Sequence, residues 1–360
     1  MLGQWLHAER TLELIDTGFP FLGPGRHELD SELPWVFDDM APAGFIGARF
    51  AQAFAELGLP TQRQHWSARQ CLEALSLRGE DLSGNLIVGE VSRERFEADF
   101  APAIRDGRLK RSDYGRVVEE FLAPGSFGKV SSLGGERPKL VLHSVGATNP
   151  RDALLKFTPP LSTEHGVRWK NLLLFESLCA QALEANGIST TGANPKTFQV
   201  LPGGARAGLL LPRFDRIGLL GRRGASTLYW LALTRGEFEL EAPAVMRSLA
   251  DDGLVTRDDA ERVELIHAFS HAIGNTDAHL GNYGLLFDRF GHASLAPVFD
   301  VTAMVLAPIA DELPDARVSP RKAPIDPRVV RWVERLVQLV RDEDRLDQPF
   351  KELWFRYLGL

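Results

Sequence analysis

Cysteine is nearly absent. Two residues, Cys71 and Cys179, stand among 360, which excludes a disulfide framework and a cysteine-built zinc fold. No apolar run approaches the roughly 20 residues that a bilayer crossing needs, so no membrane partner is expected. The first ten residues have neither the basic start nor the apolar core of a signal peptide, and the expected location is cytoplasmic. Basic charge is not in excess: Lys and Arg number 41 against 48 Asp and Glu, a net charge of -7, and direct nucleic-acid binding is not expected. Internal repeats and low-complexity tails are missing too. What remains is the composition of a soluble globular protein, long enough for two or three lobes.

The first third is mixed and interrupted by Gly and Pro. Thr11–Ile15 reads as a strand, Gly44–Leu57 as a helix, Leu86–Val91 as a strand and Ser92–Phe96 as a helical turn. His7, His27 and His65 are isolated, and no catalytic spacing occurs here. Residues 1–115 therefore read as an accessory part, structural or a docking surface.

Chemistry begins near Gly125. The stretch from Gly125 to Lys139 is dense in Gly and Ser, so its backbone N–H groups can approach phosphate oxygens closely, although it is not a Walker A loop. Leu140–Leu142 reads as a strand. Asp152–Phe157 is a second, ending near Lys156, a position suited to the strand lysine that contacts nucleotide phosphates and equally to a solvated strand end. Trp169–Ala185 is helical by its apolar spacing, with Gly187 placed as the stop, and Glu176 lies within it. Phe198–Val200 and Ala207–Leu211 flank Pro202-Gly203-Gly204 as a hairpin and lead into Pro212-Arg213-Phe214-Asp215-Arg216. A nucleotide base would lie against such a hinge, while Arg213 and Arg216 also read as plain surface charges.

The rest is mostly helical: Leu228–Thr234, Ala242–Leu249, Asp258–Ile273, Val329–Val340 and Phe350–Tyr357. Thr256 is a plausible N-cap and Gly274 a helix stop. After Gly274 come Asp277 and, five residues on, Asn282, then a short apolar run and Leu-Ala-Pro-Val-Phe ending in Asp300. In kinase-fold phosphotransferases a first carboxylate accepts the substrate hydroxyl proton, while an amide and a second carboxylate hold magnesium ions. Asn, Asp, Gly and His are also ordinary turn formers, so the loop alone decides nothing. Arg317, Arg321, Lys322, Arg328 and Arg331 form a basic run that reads first as solvated surface.

Gly/Ser loop, strand lysine, helix with Glu, hinge, Asp-x4-Asn loop and later Asp follow one another in kinase order. Four segments, Ser131–Lys139, Arg213–Arg216, Asn275–Asn282 and Leu295–Asp300, together resemble the HipA family, bacterial toxin-antitoxin serine/threonine kinases. The resemblance spans roughly residues 120–310. Leu33–Met40 and Gly84–Gly89 resemble its YjjJ branch, whose members usually carry a helix-turn-helix ahead of this region; the expectation is a member without it.

The resemblance implies an α+β, protein-kinase-like two-lobed fold with an accessory N-terminal α/β subdomain. Residues 1–115 would be accessory, 116–212 N-lobe-like, and 213–360 a helical C-lobe. It implies ATP contacts at Ser132, Leu133, Gly134, Gly135, Lys156, Glu176, Pro212 and Phe214, with Asp277 as base and His279 beside it. Asn282 and Asp300 would hold Mg2+, and Ser132, or Ser131 in a register slipped by one, would be autophosphorylated. Implied partners are a protein substrate, by analogy an aminoacyl-tRNA synthetase, and a helix-turn-helix antitoxin. Two departures stand out: Gly281 where well-known members have lysine, and Glu136 where a small residue is commoner. A pseudokinase-like regulatory module and a small-molecule phosphotransferase are the alternative readings.

Overall fold

The computed structural model describes residues 3–6, 11–14, 25–28, 37, 39–41, 44–55, 58–123, 137–145, 151–287, 292–310 and 312–360. Ser131, Ser132, Leu133, Gly134, Gly135 and Glu136 of the Gly/Ser loop lie outside these residues.

A four-stranded antiparallel sheet forms the middle of the chain, in the order Lys139–Val145, Arg151–Phe157, Ala207–Pro212, Phe198–Val200. Its register sets Lys156 opposite Lys139 on one side and Leu209 on the other. Helix Tyr114–Leu122 buries Tyr114, Val118 and Phe121 against Leu140, Leu155 and Phe157 of this sheet.

The 21-residue helix Glu164–Glu184 lies between the sheet and the helices that follow. Thr163 caps its start by accepting the Gly166 N–H at 3.0 Å. A Cβ at position 166 would fall 2.0 Å from the Pro160 carbonyl oxygen, so glycine is required there. Leu172, Leu174, Phe175, Leu178, Cys179 and Leu183 are all at most 2% exposed, which makes this a helix enclosed around most of its circumference rather than on one stripe. Each such side chain contributes roughly 1.5–3 kcal/mol by burial.

The second half is helical: Leu228–Thr234, Ala242–Asp251, Arg257–Ile273, Val330–Asp342 and Gln348–Leu358. Thr256 caps the central helix by accepting the Asp259 N–H at 3.0 Å, and Gly274 ends it at a left-handed φ of 87°. Trp354, fully buried, donates its indole N–H to the Ile273 carbonyl at 3.1 Å and meets the Phe175 ring edge-on at 4.9 Å. A small antiparallel sheet of Gly224–Thr227, Gly284–Phe287 and Ala293–Leu295 braces the loops on either side of it.

Strands Gly3–Leu6, Thr11–Leu14 and Gly25–Glu28 form a separate antiparallel sheet, followed by helices Gly44–Ala53, Ala68–Arg78, Glu90–Arg95 and Ala101–Asp106. One expectation fails here. Leu86–Val91 is no strand: it makes a single bridge, Val88 to Gly79, and a helix starts at Glu90. Gly89 at a φ of 86° breaks the extended run, and among the described residues no strand pairs with it. Two residues of the basic run pair within the chain, Arg317 with Glu312 and Arg328 with both Asp326 and Glu264.

Candidate functional site

The described residues singled out in the sequence fall mainly into two groups in the structure. The first is buried. Lys156, in an interior strand of the four-stranded sheet, donates from Nζ to Glu176 Oε1 at 2.6 Å and to Asp300 Oδ1 at 2.8 Å. Three elements far apart in sequence thus converge on one ammonium. Lys156 and Glu176 are 3% and 4% exposed, a depth at which an unpaired charge is very costly, so the pairing is obligatory.

Burial opposes the charge on Lys156, but Asp300 and Glu176 outweigh it and raise its pKa. Burial also works against a charged Asp300; Lys156, Arg137 and Lys139 overcome it and hold that carboxyl well below the usual carboxylate range. Glu176 moves upward, from burial first, with Asp300 adding to it against the pull of Lys156. Its second oxygen has no hydrogen-bond partner among the described residues. Lys139, across the strand pair, is pushed down to about 8, chiefly by burial. Asp300 takes a left-handed backbone with φ of 61°, a conformation rare outside glycine and frequent where a side chain must be aimed.

The second group lies on the loop after Gly274. Buried Asn275 accepts the Asp277 backbone N–H at 3.1 Å, and Asn282 donates from Nδ2 to the Asp277 carbonyl, so amides at both ends fix the turn. The Asp277 carboxylate itself is 53% exposed, with His279 Nε2 at 3.7 Å. Among the described residues, no hydrogen bond or ion pair joins this loop's side chains to Lys156 or Asp300. The backbone connects them instead: Asn282 leads into Gly284–Phe287, which pairs with the strand preceding Asp300. Phe214 stacks on Phe299, with ring centroids 5.7 Å apart, and a Cβ at Gly284 would meet both rings at 3.3–3.4 Å. Pro212 sits exposed at the end of its strand.

Gly281 has a local reason. Its N–H donates to His279 Nδ1 at 3.0 Å, and a Cβ there would lie 2.9 Å from that imidazole. The glycine lets His279 fold over the turn. Gly281→Ala is expected to swing His279 away while the fold melts as before; an NMR titration of the His279 ring would check it, and an unchanged ring environment would refute the packing argument.

Sequence reasoning missed the setting of Arg213 and Arg216. They are not surface charges. Arg213 donates to Asp81 at 2.9 Å, to Asp215 at 2.7 Å and to the Leu82 carbonyl at 3.0 Å; Arg216 donates to Asp81 and Asp215, each at 2.8 Å. The Gly84 N–H donates to Asp215 at 2.9 Å. The Arg213–Arg216 segment is therefore clamped to Asp81–Gly84 by a buried ion network.

The sequence pattern of the HipA-like C-terminal domain matches residues 131–347. The chain belongs to the HipA-like toxin family. The pattern of the YjjJ-like toxin middle domain matches residues 5–97 of this HipA-like chain. Toxin YjjJ of Escherichia coli (strain K12) is 29% identical over 332 residues, covering 89% of this chain and 72% of the relative. A solved complex of HipA, HipB and operator DNA from Shewanella oneidensis MR-1 contains a chain that superposes with a TM-score of 0.56 at 14% identity, over 100% of this chain and 96% of that one. The shared architecture is the α+β, kinase-like HipA fold, with the Lys156 cluster between its sheet and its helices.

Proposed function

We propose that this HipA-like protein is an ATP- and Mg2+-dependent serine/threonine protein kinase of the toxin-antitoxin type. The observation that carries this reading is the buried Lys156 shared between Glu176 and the left-handed Asp300. A lone structural ion pair would need only one carboxylate; the second, kept ionised at the edge of the cluster and 24% exposed, suits a divalent cation. The residues fit a nucleotide-metal group: Lys156 would hold phosphate oxygens, Asp300 and Asn282 the metal, and Pro212 and Phe214 would flank the base. When bound, that group supplies the transferable phosphoryl and neutralises charge on it.

The chain's own contribution is orientation and electrostatics. Glu176 keeps Lys156 aimed into the cleft. Asp277, held at its backbone by Asn275 and Asn282, would present its carboxylate to the hydroxyl that will give up its proton. His279 lies beside it, with Nε2 3.7 Å from that carboxylate. The substrate class is a cytosolic protein, with an aminoacyl-tRNA synthetase the family analogy, and Ser132 or Ser131 is the autophosphorylation position. An antitoxin of the helix-turn-helix type is the proposed partner; the Shewanella oneidensis neighbour was solved with HipB and operator DNA.

Incubation with ATP and Mg2+ is expected to add phosphate by intact mass, mapped by peptide sequencing to Ser132 or Ser131. Lys156→Met is expected to abolish both the gain and nucleotide binding. Absence of phosphate together with absence of nucleotide binding in the wild-type chain would overturn the proposal.

A further inference from the structure

Apart from the Lys156 cluster, Glu241, His267 and His271 bring a carboxylate oxygen and two imidazole nitrogens within 4.8 Å of one another. Both histidines sit on helix Arg257–Ile273, four residues apart and hence on one face. Glu241 is the N-cap residue of Ala242–Asp251, the helix packed beside it. His267 Nε2 lies 3.0 Å from His271 Nε2 and 3.5 Å from Glu241 Oε2. Ligand atoms around a tetrahedral zinc, with bonds of about 2.0–2.1 Å, stand roughly 3.3–3.4 Å apart. The two observed separations bracket that value.

A further contact fits a metal ligand. His267 Nδ1 is 3.0 Å from the hydroxyl of Tyr283, a residue 5% exposed. Holding Nδ1 in this way turns Nε2 toward the other two donors, as hydrogen-bonded partners do for ligating histidines.

We propose that Glu241, His267 and His271 form a binding site for a divalent transition metal ion of the zinc class. The ligands are Glu241 Oε2, His267 Nε2 and His271 Nε2. Glu241 and His271 are exposed, so the fourth position opens to water. Two imidazoles select this class over Mg2+ or Ca2+, which prefer oxygen. Tyr283 directly follows Asn282, so the residue that orients His267 also ends the Asp277 loop. The site shares no ligand with the Lys156 cluster and does not depend on the kinase reading.

The test uses the full chain, stripped with a chelator and titrated with Zn2+ against a chromophoric competitor. A single bound ion is expected, with Mg2+ in large excess failing to displace it. His271→Ala, at an exposed position, is expected to lose the ion. Tyr283→Phe is expected to weaken binding by about 10- to 100-fold, because Tyr283 positions a ligand. Co2+ loaded in place of Zn2+ should give the intense visible absorption of a four-coordinate site. Zero stoichiometry in the wild type, or unchanged affinity in a His271→Ala chain whose circular dichroism matches wild type, would overturn the assignment.

Discussion

Asp277→Asn is expected to slow phosphate transfer by about 10²- to 10⁴-fold, the usual contribution of a positioned general base. Nucleotide affinity should not change. The substitution keeps the size of the side chain and both backbone contacts of the turn, Asn275 to the Asp277 N–H and Asn282 to its carbonyl, and it lies apart from the Lys156 pairings. Only the capacity to accept a proton is lost. Single-turnover transfer read beside equilibrium binding of a fluorescent nucleotide separates the two. Wild-type transfer by the variant would remove Asp277 from the role of base. Identical cellular effects of wild type and variant would instead favour a binding module built on a kinase-like body.

The second large effect is on stability. Asp81→Ala removes the carboxylate that accepts from both Arg213 and Arg216, at 2.9 and 2.8 Å. Arg213 is 8% exposed, so its charge cannot recover the loss from water. Breaking a buried pair from one side costs about 3–5 kcal/mol, and a fall of that size in the unfolding free energy, seen as a lower urea midpoint, is expected. An unchanged midpoint would show that Asp215 alone balances the two guanidinium groups. The pH dependence has a definite sign. Burial works against both Asp81 and Asp215, but Arg213 and Arg216, joined at Asp81 by His143, outweigh it and hold both carboxyls below their ordinary values. Their contribution is complete above the ordinary carboxylate pKa of about 4 and disappears as acid drives the pH down toward the folded-state values. Neutral and mildly acidic buffers should leave the clamp intact.

Much of the site was legible because local pattern and global order agree. Lys156 and Glu176 are 20 positions apart, on a strand and a helix whose apolar spacing is plain in the sequence. Gly274 and Thr256 do what their chemistry requires at helix ends. Arg213 and Arg216 were illegible for the opposite reason: their partner Asp81 lies 132 positions before Arg213, in a segment with no motif of its own. Leu86–Val91 misled because three consecutive apolar residues look alike whether they pair in a sheet or pack against a neighbouring helix. Here Arg222 reaches the Leu86 carbonyl and Gly89 turns the chain. The histidine pair carried a helical i, i+4 signal, but Glu241 reaches it only through helix packing that no spacing in the sequence encodes.

Trp354 has a consequence for timing. Its ring rests on Phe175, next to Glu176, and its indole N–H holds the carbonyl of Ile273, the last residue of the helix that delivers Asp277. Every side chain of the candidate site is made before residue 354. A chain still emerging from the ribosome therefore carries all of that chemistry while lacking a residue that touches both supporting helices. The tie is completed only once residue 354 has been made.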